Sequence, residues 1–315
     1  MRTVTAALLL LSLNSWAVAQ ETPKRQNRRA ALPGLSDARA EVYKTVGDTK
    51  LKIYIFEPEN LDKQDPRPAI VFFFGGGWRS GSPRQFGPHC KYLASRGMVA
   101  MAADYRVSSR HGVKAVDCVR DAKSAVRWIR ANAERLGVDP NRIAAAGGSA
   151  GGHLAASTGT LPDFDEPNED ASISSRPNAM LLFNPAVILA PTDAVELDPE
   201  RLVSRIERMG AEPQAMSPYH HIAADTPPTA IFHGTEDRTV AHDTVEAFAE
   251  AMQQAGNRCE LHSYEEEGHG FFNFGRRGNK MFVATLTDAD RFLKSLGYVE
   301  GEPTVEESVE KLGRK

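Results

Sequence analysis

The stretch "RIAAAGGSAGGHLAAST", residues 142–158, decides the fold because it changes character at a single serine. A short apolar run ends in Gly147 and Gly148, and Ser149 follows. After Ala150 come two more glycines and then residues that favour a helix. A glycine inside a helix costs about 1 kcal/mol relative to alanine. Four glycines around one hydroxyl therefore predict a tight turn between a buried strand and a helix.

Runs on both sides of this turn alternate between two patterns. Eight short runs are typical of strands: residues 40–46, 51–58, 69–74, 98–105, 142–147, 178–185, 228–234 and 259–265. Helical spacing is found at residues 115–137, 240–255 and 281–296. Strand alternating with helix predicts an α/β fold, with a mostly parallel eight-stranded sheet covered by helices on both faces. The turn at residues 47–48 predicts an antiparallel hairpin of the first two strands.

The alternation defines one domain, residues 40–298. Residues 186–227 interrupt it between two predicted strands, and we expect a small cap insertion there that roofs a site at the carboxyl edge of the sheet. Residues 299–315 are rich in charge, so we expect a frayed C-terminal tail.

The N-terminal segment has the features of a targeting sequence. Arg2 precedes an apolar run through Leu13, and residues 17–19 offer a small-x-small cleavage site. This pattern predicts a signal peptide at residues 1–19 and a basic, flexible leader at residues 20–39. We therefore expect a secreted or periplasmic protein with no transmembrane span, a retained membrane anchor being the alternative.

The composition excludes some classes of protein. Apolar residues make up 41% of the chain and charged residues 25%, as in globular proteins, and a net charge of −3 gives no basic surface for nucleic acid. Cys90, Cys118 and Cys259 are odd in number, so they cannot form a complete disulfide framework. We expect buried free thiols, with one disulfide as the alternative. No Cys/His spacing fits a zinc site, and we expect no bound metal.

Residues 147–151 fit the pattern G-x-S-x-G between a strand and a helix, the context of a nucleophile elbow. Such a turn strains the serine backbone and lifts its oxygen to the top of the sheet. The following helix directs its N–H groups and its dipole at the same point. A glycine-rich packing turn is the alternative interpretation.

A nucleophilic serine needs a base and a group that orients the base. Asp237 lies in "HGTEDRTV", in the loop after a predicted strand, and His269 lies in "GHGFF", after the last strand. The order Ser149, Asp237, His269 is a known order of such triads. Glu236 and Asp243 are the alternative acids, although Asp243 falls a turn inside the next helix. Four other histidines are interpreted as structural: His153, His220, His221 and His233.

The run "FFFGGGWRSGS", residues 72–82, ends a predicted central strand in three glycines. Without side chains, the backbone there can approach a substrate closely. Gly76 and Gly77, together with the N–H of Ala150, are therefore the candidate oxyanion hole. A simple chain reversal is the alternative.

Together "FGGGW", "GGSAGG", "HGTEDRTV" and "GHGFF" resemble the α/β-hydrolase superfamily. Within it, the chain is similar to the HGGG-type serine esterases, the hormone-sensitive-lipase-like and acetyl-esterase-like group, over about residues 40–297. The resemblance implies ester hydrolysis without a cofactor. Phe74 stands where relatives have a histidine that orients the glycine loop, and Gly148 stands where many carry an acid.

The predicted function is that of a secreted serine esterase acting on a small-molecule or carbohydrate ester, with acetyl or feruloyl groups on polysaccharides as the expected substrates. The alternatives are a prolyl-oligopeptidase-type peptidase, a lipase, and a non-catalytic binding protein. Trp78 is a candidate for stacking on a sugar or for core packing. If Phe74 and Trp78 crowd the acyl side of the glycines, short acyl groups are preferred. The sequence does not define the oligomeric state.

Overall fold

The structure, a computed structural model, describes residues 34–197 and 206–313. The predicted signal peptide and most of the predicted leader lie outside the described residues.

Eight strands form one sheet in the order β1-β2-β4-β3-β5-β6-β7-β8. They are β1 (Arg39–Val46), β2 (Thr49–Phe56), β3 (Arg67–Phe73), β4 (Val99–Ala103), β5 (Val138–Gly148), β6 (Ala179–Phe183), β7 (Thr229–Gly234) and β8 (Cys259–Tyr264). Strand β2 runs antiparallel to both of its neighbours, and the other five pairs are parallel. The predicted α/β class and the predicted hairpin are confirmed, and Gly47 in its turn has a φ of +53°.

The main helices, in chain order, are α1 (Gly87–Ser95), α2 (Ser108–His111), α3 (Ala115–Ala131), α4 (Ala133–Leu136), α5 (Ala150–Thr160), α6 (His242–Gln254), α7 (Lys280–Ser295) and α8 (Val305–Gly313). The single helix predicted at residues 115–137 is interrupted at Asn132, whose side-chain amide donates to the Trp128 carbonyl.

Helices cover both faces of the sheet, because the side chains of the central strands alternate between two apolar cores. In β3, Val71 and Phe73 face one core, while Ile70 and Phe72 face the other. Helices α3, α5 and α6 pack into the first core, and α1, α7 and α8 pack into the second. Burial on both faces explains why the central strands are continuous apolar runs.

The C-terminal segment departs from the prediction. A frayed tail is wrong for residues 305–313, which form helix α8. Val305 is buried in the second core, and the Thr304 N–H donates to the Tyr92 hydroxyl at 3.2 Å. A polar helix is stable here because its one apolar face finds a partner that composition alone does not reveal.

The predicted cap insertion, residues 186–227, lies between β6 and β7 and is described at residues 186–197 and 206–227. Its apolar residues enter the first core, among them Val187, Ile188, Met209 and Met216.

Candidate active site

Ser149 lies between β5 and α5 with φ +56° and ψ −119°. A non-glycine residue with positive φ is strained, and such strain is concentrated at functional sites. The Ser149 N–H donates to the Phe183 carbonyl of the neighbouring strand at 2.8 Å, which holds the turn in place. The predicted elbow geometry is therefore present.

Close backbone approach accounts for the glycines of the turn. A Cβ atom on Gly151 would lie 2.0 Å from the Phe73 carbonyl oxygen, and one on Gly147 would lie 2.2 Å from the Gly151 carbonyl oxygen. No side chain fits either space, so the strand-to-helix crossing requires glycine at both positions.

The three predicted triad residues are in hydrogen-bond contact. His269 Nε2 lies 2.9 Å from Ser149 Oγ, and His269 Nδ1 lies 2.7 Å from Asp237 Oδ2. A carboxylate only accepts hydrogen bonds, so Nδ1 carries the ring proton and Nε2 is free to accept the serine proton. This is the arrangement in which a histidine can act as general base toward a serine.

Asp237 is buried and held as an anion. Burial by itself raises the pKa of this carboxyl group, but hydrogen bonds from His269 and from the Val240 N–H outweigh burial and lower the pKa. The N–H groups of Thr239 and Val240 donate to Oδ1 at 2.8 and 3.0 Å. The loop after β7 therefore presents a fixed negative charge to His269.

The alternative acids do not reach the histidine. Glu236 is exposed, and Asp243 lies within helix α6, in its first turn and not a full turn inside it as predicted. His233 and His153 are buried, and burial lowers the pKa of each to about 4, so both are neutral at pH 7. His233 Nε2 donates to the Val240 carbonyl, which supports the Asp237 loop from below.

Sequence reasoning missed Asn184, which joins the acid to the histidine loop. Its amide nitrogen donates to Asp237 Oδ2 at 2.9 Å, and its amide oxygen accepts from the Gly270 N–H at 3.1 Å. Asn184 is fully buried and has a φ of +43°. Its position directly after β6, at the carboxyl edge of the sheet, was the available signal.

The glycine loop after β3 lies against the elbow. A Cβ on Gly75 would be 3.3 Å from the Ser149 Cβ. Gly76 and Gly77 have φ values of +131° and +62°, conformations that glycine adopts without strain. Ala150 is the first residue of α5, where N–H groups have no intrahelical partner. The structure therefore brings the candidate oxyanion residues to the same edge of the sheet as Ser149.

The two rings that flank the glycines are buried in the first core, contrary to the expectation that they crowd the acyl side of the glycines. Phe74 is fully buried and stacks on Tyr105 with ring centroids 4.0 Å apart. Trp78 is 7% exposed, and its indole N–H donates to His153 Nδ1 at 3.2 Å. Of the two interpretations of Trp78, the structure favours core packing.

The BD-FAE family matches residues 53–252, and the dienelactone hydrolase family matches residues 211–296. The chain belongs to the BD-FAE family. This membership confirms the resemblance to α/β-hydrolase serine esterases of the hormone-sensitive-lipase-like type, and the relatives described below are carboxylic ester hydrolases.

Esterase 2 of Thermogutta terrifontis is similar in structure and sequence, with a TM-score of 0.81 and 57% identity over 85% of this chain and 98% of that chain. The probable carboxylic ester hydrolase LipM of Mycobacterium tuberculosis is 31% identical over 65% of this chain and 49% of its own length. An acetylxylan esterase of Xylanibacter ruminicola is 29% identical over 79% of this chain and 49% of its own length. The chain spans about half the length of the first curated relatives it matches.

Within residues 34–197 and 206–313, no helix has the length and apolarity to cross a bilayer, and no three His, Cys, Asp or Glu side chains converge as metal ligands would. Cys90, Cys118 and Cys259 are buried free thiols, as expected.

Proposed function

We propose that this protein hydrolyses short-chain carboxylic esters through a covalent acyl-enzyme on Ser149. The observation that carries the proposal is the continuous hydrogen-bond relay from Ser149 Oγ through His269 to Asp237. A serine hydroxyl is a weak nucleophile at its free pKa and needs an adjacent base, which this relay supplies.

In the proposed first step, Ser149 Oγ attacks the ester carbonyl carbon while its proton passes to His269 Nε2. The carbonyl electron pair moves onto oxygen, and the N–H groups of Gly76, Gly77 and Ala150 stabilise that oxyanion. Asp237 stabilises the imidazolium that forms. The C–O bond to the alcohol then breaks, and the leaving oxygen takes the proton from His269. A water molecule repeats the sequence on the acyl-enzyme and releases the acid.

Similar proteins support a small acyl group. Structures of the Thermogutta terrifontis esterase were determined with propionate and with butyrate bound. A separate cavity of about 210 Å³ lies beside the loop after β7, but Glu196 and Asp243 share its wall with apolar side chains and no triad residue lines it. The short-acyl proposal therefore rests on the acids bound by this relative and not on Phe74 and Trp78.

The natural substrates we propose are acetyl or feruloyl esters of polysaccharides, in a secreted or periplasmic setting. The acetylxylan esterase among the relatives supports acetylated polysaccharides as substrates. The pattern of residues 1–19 supports a secreted or periplasmic location. N-terminal sequencing of protein exported by cells that express the full chain tests the setting, with cleavage after Ala19 as the expected result.

The chemistry is tested with an organophosphate and a series of esters. Paraoxon, which phosphorylates the Thermogutta terrifontis esterase, should label Ser149 stoichiometrically, as read by peptide mass mapping. Values of kcat/KM for p-nitrophenyl esters should be high for acetate and butyrate and poor for octanoate, since each methylene that an acyl pocket cannot accommodate costs about 1–3 kcal/mol. Rates that rise steadily to octanoate would instead identify a lipase, and an unlabelled Ser149 would identify a non-catalytic protein.

A further inference from the structure

Gly75 is the first glycine of the loop at residues 75–77, here called the oxyanion loop, and its backbone is held by the side chain of Gln85. The Gly75 N–H donates to Gln85 Oε1 at 2.7 Å. Gly75 directly precedes the two proposed oxyanion donors, so its orientation fixes where the next two N–H groups point. Gln85 therefore acts at the position of the loop where relatives use the histidine that Phe74 replaces here.

Gln85 also reaches the loop that carries the catalytic histidine. Its amide nitrogen donates to Asn273 Oδ1 at 2.9 Å, and the Asn273 amide nitrogen donates to the Gly270 carbonyl at 2.8 Å. Gly270 is the neighbour of His269. Each amide has a donor on one side and an acceptor on the other, so the hydrogen bonds themselves define which way both amides point.

The chain neighbours of the two amide residues are a pair of stacked rings. Phe86 follows Gln85 in the chain, Phe272 precedes Asn273, and these rings stack with centroids 6.0 Å apart and an angle of 13° between their planes. Both rings are fully buried. The segments at residues 85–86 and 272–273 are therefore joined twice, by the ring stack and by the hydrogen bond between the two amides.

The same rings explain the glycine that departs from the pattern of many relatives. A Cβ atom on Gly148 would lie 2.6 Å from Phe272 Cζ and 3.3 Å from Phe86 Cζ. The Phe86–Phe272 stack thus packs directly under the elbow, and the residue before Ser149 can carry no side chain.

We propose that Gln85 and Asn273 are positioning residues that join the oxyanion loop to the His269 loop as one unit. The inference rests on the proposed function of these two loops. Because the bridge aligns groups that act on the transition state, its loss lowers kcat and leaves KM nearly unchanged. Removal of a direct oxyanion donor lowers kcat by a factor on the order of 10²–10³. Gln85 acts only through the loop backbone, so its removal should lower kcat by a smaller factor, about tenfold.

The test compares Gln85→Met, Gln85→Ala, Asn273→Ala and the double variant Gln85→Ala/Asn273→Ala. Methionine keeps the length of glutamine but makes neither hydrogen bond, so it separates bridging from packing. Gln254→Ala is the matched control, since Gln254 is exposed at the end of α6. The measurements are kcat and KM on p-nitrophenyl acetate, the rate at which paraoxon phosphorylates Ser149, and the melting temperature.

We expect Gln85→Met and Gln85→Ala to lose a similar factor in kcat, with KM within about twofold. The double variant should lose no more than Gln85→Ala, because residues that act as one unit are not additive. Wild-type kcat in Gln85→Met, or costs that multiply in the double variant, would overturn the proposal. Should Gln85→Ala fail to fold, Gln85→Met and Asn273→Ala still decide it.

The rate of paraoxon labelling tests the Gln85–Asn273 bridge independently of whether the proposed ester substrates are correct. If the wild-type protein is labelled by paraoxon but hydrolyses no short ester, the proposed function fails. Slower labelling in the Gln85 variants would then still support the bridge, and equal labelling rates would refute it.

Discussion

Ser149 combines a strained backbone with a hydroxyl that already contacts its base. Because the strain is imposed by the glycines around it, Ser149→Ala should fold like the wild type. Loss of the nucleophile should lower kcat by about 10⁶-fold, the cost of such a deletion in a comparable triad. Ester hydrolysis and circular dichroism check the two parts, with Ser109→Ala, an exposed serine of α2, as the control. Half of the wild-type rate in Ser149→Ala would refute the assignment.

The Asp237 carboxylate accepts a hydrogen bond from His269 Nδ1 and so fixes the tautomer of the ring. The amide of an asparagine at this position can also donate, so it does not fix the same tautomer. Asp237→Asn keeps an oxygen for the Thr239 and Val240 N–H groups but presents the wrong partner to Nδ1. We expect a loss of about 10⁴-fold in kcat. Glu236→Gln is a matched control one residue away, and its exposed side chain should contribute little. The reverse order of the two effects would show that Glu236 is the acid.

At the scale of elements, helix α1 buries a histidine with no polar partner among the described residues. His89 is fully buried within a cluster of phenylalanine rings, and neither ring nitrogen has a hydrogen bond. Burial lowers the pKa of His89 to about 3. Below about pH 6.5 the unfolded chain binds a proton that the folded protein excludes. The contribution of this group is therefore constant above pH 6.5, and stability decreases as the pH falls from there toward 3.

His89→Leu should remove that part of the acid sensitivity. Between pH 7.5 and pH 5 the variant should lose about 2 kcal/mol less stability than the wild type, which corresponds to one proton over about 1.5 pH units. Urea unfolding at both pH values measures the difference. Equal losses in the two proteins would mean that His89 is protonated in the folded state.

At the scale of the whole molecule, a buried ionic contact joins the C-terminal segment to the two helices beneath it. Asp290 on α7 is fully buried and accepts from Arg96 Nε at 2.7 Å and from the Tyr92 hydroxyl. Arg96 also donates to the Glu300 carbonyl at 2.6 Å. One carboxylate thus holds the end of α1, helix α7 and the approach to α8 together.

Asp290→Ala should therefore destabilise the protein without changing its chemistry. Removal of one partner of a fully buried ion pair costs about 3–5 kcal/mol, and that range is an upper bound here because Arg96 is partly exposed. The free energy of unfolding should fall by up to that amount, and kcat/KM of the folded enzyme should not change. Asp225→Ala, at an exposed pair with Arg176, is the control and should have little effect. A large loss of kcat/KM in Asp290→Ala would show that this end of the molecule couples to the site.

The sequence by itself determined the features that are local. The central strands are continuous apolar runs, and Ser149 is enclosed by glycines that a strand-to-helix turn requires. Asp237 and His269 each lie in the loop that follows a strand. Because parallel strands bring their carboxyl ends to one edge, residues in those loops meet once the strand order is known. The fold and the three triad positions follow from patterns of fewer than about twenty residues.

Only the tertiary structure decided which side chains support those loops. Gln85 meets Asn273 across 188 positions of the chain, and Asn184 meets Asp237 across 53. Neither pair has a spacing that a local pattern reveals. Trp78 lies in the core, where His153 provides a buried hydrogen-bond acceptor. Helix α8 packs against the domain because Val305 is buried in the second core. The physical reason is common to all of them: a hydrogen bond or an apolar contact between distant residues forms only when packing brings the two together.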